Sequence, residues 1–271
     1  MKKQLNLFSG SLMMSSIPER GKMQMATQRK RRILVTNDDG IDAPGIVLLA
    51  ETARELGEVW VVAPASQCSA MSQRLTLHRE MEIRERRDFP VSGVTAWSLD
   101  GTPADCVKTA LRILPAVPDL VFSGINDGYN TGFDIAYSGT CGACFEAIFN
   151  RIPAIAFSCE NSRNHSAAEM HMAALAKQLL LMPIERNAFW NINFPACSGT
   201  ELKGILFDRI PGEMQLYTDN MPQKHYPDGR WTIAESGIPV SADASPEGTD
   251  IHAVLNGYVS VGKIFTGLMR S

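Results

Sequence analysis

The run Ile33-Leu34-Val35-Thr36-Asn37-Asp38-Asp39-Gly40 decides the fold. Four β-prone residues end on an amide, two carboxylates and a glycine, the pattern of a buried strand that delivers polar groups at its carboxyl end. Downstream, the spacing of Ile46, Leu49, Ala50 and Ala53, with Pro44 near the first turn, predicts a helix over 43–56. A second apolar run, Val59-Trp60-Val61-Val62-Ala63, follows at once. Continuous apolar strands separated by helices indicate a parallel sheet covered on both faces.

The alternation continues along the chain. After a long loop over 64–78, strands are expected at 81–85 and 95–99, then a helix with Pro103 early and Val107, Leu111 and Leu114 inward. Asp119-Leu120-Val121-Phe122-Ser123-Gly124 reads as another buried strand, and 125–137 as a Gly/Asn-rich loop. A helix over 139–150, a strand over 154–159, a helix over 167–182 and a strand over 189–194 follow. Beyond them 202–209, 231–234 and 258–263 are β-prone in Pro/Gly-rich surroundings. The expected fold class is α/β: a Rossmann-like, doubly wound, mostly parallel sheet, with a β-rich C-terminal extension over about 200–271. Residues 1–32 lack an apolar period and read as a flexible basic tail outside the folded part, 33–271. Asn6, Ser9, Gly10 and Ser11 interrupt the apolar stretch that a signal peptide would need there.

Composition narrows the functional classes. The 271 residues are 45% apolar and 20% charged, with mean hydropathy −0.08, as in ordinary globular proteins. The most apolar stretches, 59–65 and 152–157, are strand-length, whereas a membrane-crossing helix needs about 20 apolar residues. The formal charge of −3 hides an asymmetry: residues 1–32 hold eight Lys/Arg and one Glu, leaving 18 basic and 28 acidic residues elsewhere, a net of −10. An acidic body argues against a nucleic-acid duplex as partner, and phosphate chemistry on such a body needs a local cation, which a metal can supply. Six cysteines, at 68, 106, 141, 144, 159 and 197, form neither a disulfide framework nor paired zinc spacing, which points to a reducing, cytoplasmic setting.

In an open parallel sheet, ligands bind outside the carboxyl ends of the strands. There the sequence places Asn37, Asp38 and Asp39, then the Ser- and Gln-rich 64–72, then Asn126, Asp127 and Asn130, and finally Tyr137-Ser138-Gly139-Thr140 opening a helix. Adjacent Asp38 and Asp39 repel unless a cation or a shared proton compensates. Oxygen donors without His or thiolate favour Mg²⁺, Mn²⁺ or Ca²⁺ over zinc. The same residues also make good turn sequence, with Gly40 supplying positive φ, but the convergence of several polar loops favours a metal. The helix opening at Ser138 suits an anion, and equally a plain N-cap by Ser138 or Thr140. Cys141 and Cys144, three apart on one helix face among small residues, read as packing. The histidines at 78, 165, 171, 225 and 252 show no metal-site spacing, and no serine sits in G-x-S-x-G.

At these residues the chain resembles the SurE family, survival proteins that act as metal-dependent 5′/3′-nucleotidases. The resemblance runs from about Ile33 to Lys263. Its carriers are the 33–40 run with Ala43-Pro44-Gly45, Val61-Val62-Ala63-Pro64 followed by Ser69, and Leu75-Thr76-Leu77. Gly101-Thr102-Pro103-Ala104-Asp105-Cys106-Val107, Ser123-Gly124-Ile125-Asn126 and Tyr137-Ser138-Gly139-Thr140 continue it, and Gly248-Thr249-Asp250 and Gly257-Tyr258-Val259-Ser260 complete it. The resemblance implies one divalent metal per subunit, Mg²⁺, Mn²⁺ or Ca²⁺, held by Asp38, Asp39, Ser69 and Asn126. It implies hydrolysis of nucleoside 5′-monophosphates, with 3′-monophosphates as a second class, to nucleoside and phosphate by a metal-activated water. Asp38 or Asp39 would serve as catalytic base, and Asn37, Ser138, Gly139 and Thr140 as phosphate contacts. It further implies homodimers or homotetramers in which the C-terminal extension exchanges between subunits. Several positions depart from the family: Ala70 stands where Gly is usual, Asp127 where a small residue is common, Tyr129 precedes Asn130, and Cys141 and Cys144 stand where small residues usually sit. Two other classes fit less well. Haloacid-dehalogenase-type phosphatases need D-x-D, which Asp38-Asp39-Gly40-Ile41 lacks, and receiver-like modules are about half this length.

Overall fold

A computed structural model describes residues 29–160, 165–234 and 236–270. Its centre is β1 (Arg31–Thr36), which pairs in parallel with β2 (Gly57–Pro64) on one side and β5 (Leu120–Asp127) on the other. Beyond β2 lie β4 (Thr95–Leu99), parallel, and β3 (Ile83–Glu85), antiparallel at the edge. Beyond β5 lie β6 (Ala154–Cys159) and β7 (Ala188–Phe194), both parallel. Strand order therefore reverses at β1, and the crevice between the carboxyl ends of β1 and β5 is a topological switch point.

Alternation along each strand divides the core in two. Ile33 and Val35 of β1 pack with α1 (Pro44–Arg54) and α4 (Ser166–Leu179), through Ile46, Leu49, Ala168 and Leu175. Leu34, pointing the other way, packs with α2 (Pro103–Ile113) and α3 (Gly139–Phe149), through Val107, Cys141, Cys144 and Ala147. Burial on both faces explains why the inner parts of β1 (Ile33–Val35), β2 (Val59–Ala63) and β6 (Ala154–Phe157) are continuous apolar runs. Cys141 and Cys144 are fully buried, so packing is their role. Among the described residues, no helix is long and apolar enough to cross a membrane.

Three details differ from the sequence reading. Arg31 and Arg32, assigned to the tail, begin β1: they pair with Gly57 and Glu58, and the Arg32 N–H donates to Asp119 Oδ2 at 2.8 Å. The rest of the expected tail, 1–28, lies outside the described residues. β5 runs on to Asp127, and the expected loop after it contains a 3₁₀ turn over Gly132–Ala136. The 200–271 region is less separate than its Pro/Gly content suggested. β8 (Ile205–Arg209) and β13 (Val259–Phe265) extend the main sheet to nine strands, with β13 antiparallel to β7 and parallel to β8. A short helix, α5 (Asp250–Leu255), precedes β13. Between them β9 (Tyr217–Thr218) pairs with β12 (Ile238–Pro239), and β10 (Gln223–His225) with β11 (Trp231–Ile233), as two small ribbons.

Candidate active site

The turn after β1 is built by its own residues. Gly40 adopts φ +100°, and Asn37 Nδ2 donates to the Gly40 carbonyl at 2.8 Å. Ile41 N–H then donates to the Pro64 carbonyl at 2.9 Å, and Cys68 N–H to the Asp38 carbonyl at 2.7 Å, so the loop after β2 is laced to this turn. Asn37, expected among the phosphate contacts, is fully buried with its amide nitrogen committed to the turn. Its job in this arrangement is to shape the presentation of Asp38 and Asp39.

The two carboxylates are held differently. Asp38 is buried, and Thr140 Oγ1 donates to its Oδ1 at 2.6 Å. Burial pushes the Asp38 carboxyl up to about 6 against the pull of that hydroxyl, and the Asp39 charge adds to the rise. Asp39 is partly open. Its Oδ2 accepts from Asp127 N–H at 3.0 Å; burial raises it, while Gln67 and, more weakly, His165 act to lower it. Thr140 was expected to hold phosphate, but its hydroxyl proton is spent on Asp38, so it positions the carboxylate. Ser138 caps α3, its Oγ accepting Cys141 N–H at 3.0 Å. Gly139 is required by proximity: a Cβ there would stand 2.9 Å from Asp38 Cβ. The helix N-terminus thus sits directly against the first aspartate, with its dipole favouring the charged form.

Ser69 and Asn126 complete the expected donor set. Ser69 is exposed, its Oγ accepting from Gln67 Nε2 at 3.0 Å, and Ala70 beside it takes φ 56°, a left-handed conformation that glycine adopts more easily. Asn126 Nδ2 donates to the Gly128 carbonyl at 2.8 Å, which leaves its amide oxygen as the ligand end. Among the described residues, no three His, Cys, Asp or Glu side chains gather as a metal cluster. The expected donors are two carboxylates, a hydroxyl and an amide, an all-oxygen set of the kind a hard cation prefers. Asp38 and Asp39 act on each other as like charges, which a divalent ion would relieve.

Two further motifs support the site from a distance. Thr102 and Asp105 form a capping box on α2, and Asp105 also accepts Thr76 N–H at 3.0 Å, which fastens the 66–76 loop. Asp250 accepts Gly132 N–H at 3.0 Å and Gly212 N–H at 2.9 Å, which ties the segment before α3 to the C-terminal region. A cavity of about 400 Å³ opens beside Asp39, walled by Gly40–Gly45, Ala65, Ser66, Gln67, Ile125, Asp127 and His165. Sequence reasoning missed Gln67 and His165, because neither belongs to a spaced motif and only tertiary structure brings them to Asp39.

The family model described as "Survival protein SurE" matches residues 33–215. The chain is 42% identical over 234 residues to the 5′-nucleotidase SurE of Geobacter sulfurreducens, covering 84% of this chain and 86% of that protein. It is 38% identical over 233 residues to the 5′-nucleotidase SurE 1 of Thermus thermophilus, covering 85% and 90%. The crystal structure of the SurE protein from Aquifex aeolicus superposes with a TM-score of 0.75 at 34% identity, covering 88% of this chain and 95% of that one.

Proposed function

The chain belongs to the SurE family, and we propose that it is a divalent-metal-dependent nucleotidase releasing phosphate from nucleoside 5′-monophosphates, with 3′-monophosphates as a second substrate class. The observation that carries this reading is the pair Asp38 and Asp39, set at the switch point of the sheet with Thr140 Oγ1 2.6 Å from Asp38. Asp38, Asp39, Ser69 and Asn126 would hold one Mg²⁺, Mn²⁺ or Ca²⁺ ion. Bound there, the ion would supply Lewis-acid polarisation of the phosphate and of a water.

The chain's own residues do the rest. Asp39 faces the cavity whereas Asp38 is buried against α3, so Asp39 is the base that an entering water can reach. Its raised pKa suits that work. Thr140 and Gly139 fix Asp38, and the backbone at the start of α3, with the Ser138 hydroxyl, presents donors for phosphate oxygens. The same reading includes a homodimer or homotetramer, supported by Trp231, Ile233 and Ile238, which are more than half exposed on the small ribbons. It also includes a cytoplasmic setting, supported by six unpaired cysteines.

Phosphate release from a panel of nucleoside 5′- and 3′-monophosphates, with Mg²⁺ or Mn²⁺ and then with EDTA, tests the reaction class. Release is expected only with metal, and Asp38→Asn and Asp39→Asn are each expected to abolish it with the fold intact. Release that persists in EDTA, or near-normal turnover in both variants, would overturn the assignment.

A further inference from the structure

Asn130 stands in the loop between β5 and α3, outside the metal and phosphate contacts, yet buried side chains grip both of its main-chain groups and its amide nitrogen. Its N–H donates to Asn193 Oδ1 at 2.8 Å, and its carbonyl accepts from Asn193 Nδ2 at 3.2 Å and from Asn191 Nδ2 at 2.9 Å. Its own Nδ2 donates to Ser158 Oγ at 2.8 Å. All four residues are buried. An N–H can only donate and a carbonyl only accept, so these partners fix which way the Asn193 amide faces.

Two amides inside β7 are not what the strand itself asks for. Asn191 and Asn193 share a face with Phe189, which packs edge-on against Phe145 of α3 with 4.9 Å between ring centroids. Apolar side chains would complete that face with no hydrogen bonds to satisfy. The amides replace a strand instead. Beyond Asp127 the chain leaves the β5 ladder, and Asn193 gives Asn130 the donor and the acceptor that a neighbouring backbone would supply. The clamp also lies in line with the site, because Asn126, Ser158 and Asn193 are register neighbours across β5, β6 and β7. The tie from Asn130 back to Asn126 is short. Gly128 N–H donates to the Cys159 carbonyl at 2.8 Å, and the Gly128 carbonyl accepts Asn126 Nδ2 at 2.8 Å. The direction of the Asn126 amide oxygen therefore depends on where Gly128 sits, and Gly128 is held at Cys159 and, two residues on, at Asn130.

We propose that Asn193 is a positioning residue for the metal end of the site: its grip on Asn130 sets the 126–130 turn and so aims the Asn126 oxygen. This rests on the assignment of Asn126 to the metal in the nucleotidase reading and deepens it. Partners that orient a metal ligand in this way are worth about 10–100-fold in metal affinity.

Mn²⁺ binding to the metal-free protein, titrated by calorimetry without substrate, provides the test. Asn193→Asp keeps the acceptor for Asn130 N–H but sets a carboxylate oxygen against its carbonyl, and is expected to weaken Mn²⁺ binding about tenfold. Amide exchange over 126–131 in the metal-free variant should quicken. In an Asn126→Ala background the same change is expected to cost less than about twofold, because the ligand through which it acts is gone. Leu179→Ala, a core change on the opposite face of the sheet, should leave Mn²⁺ affinity within about twofold of wild type. If Asn193→Asp does not fold, Ser158→Ala removes a single oxygen beneath the same loop and is expected to cost about threefold. Unchanged affinity or exchange in the variant that folds, an equal loss with Asn126 already removed, or an equal loss in Leu179→Ala overturns the proposal. Asn126→Ala that binds Mn²⁺ like wild type removes the metal assignment and the proposal with it, a result distinct from a silent Asn193→Asp.

Discussion

Gly139→Ala separates the demands of the helix from those of the site. In an ordinary helix the change stabilises by up to about 1 kcal/mol. Here the added methyl would stand 2.9 Å from Asp38 Cβ, 3.0 Å from its Oδ2 and 3.2 Å from Pro103 Cγ. Carbon contacts relax at about 3.5–4.0 Å, so the carboxylate and the start of α3 must part by roughly 0.6 Å or more. That separation stretches the Thr140–Asp38 hydrogen bond from its 2.6 Å to the weak end of the useful range. A misplacement on the order of 1 Å at a reacting centre costs about 10²-fold. We therefore expect kcat/KM to fall by about 10–100-fold, with a higher metal concentration needed for half-maximal rate. The melting temperature should move by no more than about 4 °C, as about 1 kcal/mol does in a chain of this size. Initial rates of phosphate release across a metal titration, with thermal melting followed by circular dichroism, measure both. Turnover within twofold of wild type would refute the reasoning, because a methyl would then fit where the geometry leaves no room.

Thr140→Val keeps the side chain's shape and removes the donor to Asp38, so kcat/KM should drop about tenfold, the worth of one hydrogen bond to a charged group. Thr140→Ser should restore most of it in the same assay. Ala70→Gly relieves a left-handed backbone at φ 56° and should stabilise the protein by about 1 kcal/mol, seen as a rise in urea midpoint. A lower midpoint would show that the loop is not strained there. Asp119 accepts from the Arg32 backbone and guanidinium and from Arg29, and these hold its carboxyl well below the usual carboxylate range. A depressed native value contributes stability above the unfolded value of about 4 and loses it as pH falls toward the native one. Asp119→Asn should therefore cost about 1 kcal/mol at pH 7, with the gap to wild type narrowing in urea melts below about pH 4. A gap that is constant with pH would assign the loss to packing.

The fold was legible wherever local pattern and tertiary role coincide. The strand at 154–159 falls where expected, because an apolar run buried on both faces carries its own boundaries, and the strand at 95–99 also falls where expected although one of its faces is only partly covered. The helix at 250–255 was not legible: six residues are too few to show a helical period. Nor does composition reveal that β13 inserts between β7 and β8, since the choice of a neighbouring strand is made by long-range packing. At the site, Asp38 and Asp39 declare themselves by mutual repulsion in sequence. Asn37 and Thr140 are present in the quoted motifs, yet the direction in which each spends its hydrogen bonds appears only in three dimensions. His165 carries no signal at all in sequence, because a lone histidine before an ordinary helix looks like any other.

The place of β13 in the sheet has a consequence for the nascent chain. β8 touches the sheet only through β13, and some 50 residues separate the end of one from the start of the other. At synthesis rates of about 5–20 residues per second, Ile205, Leu206 and Phe207 wait roughly 3–10 s before their sheet partner leaves the ribosome. Through that interval the edge of β7 also stands open, although every residue of that strand ends up buried. Two unsatisfied edges, both awaiting the same segment, make this the period in which a neighbouring chain or a chaperone can intervene, and the arrival of 259–265 closes it.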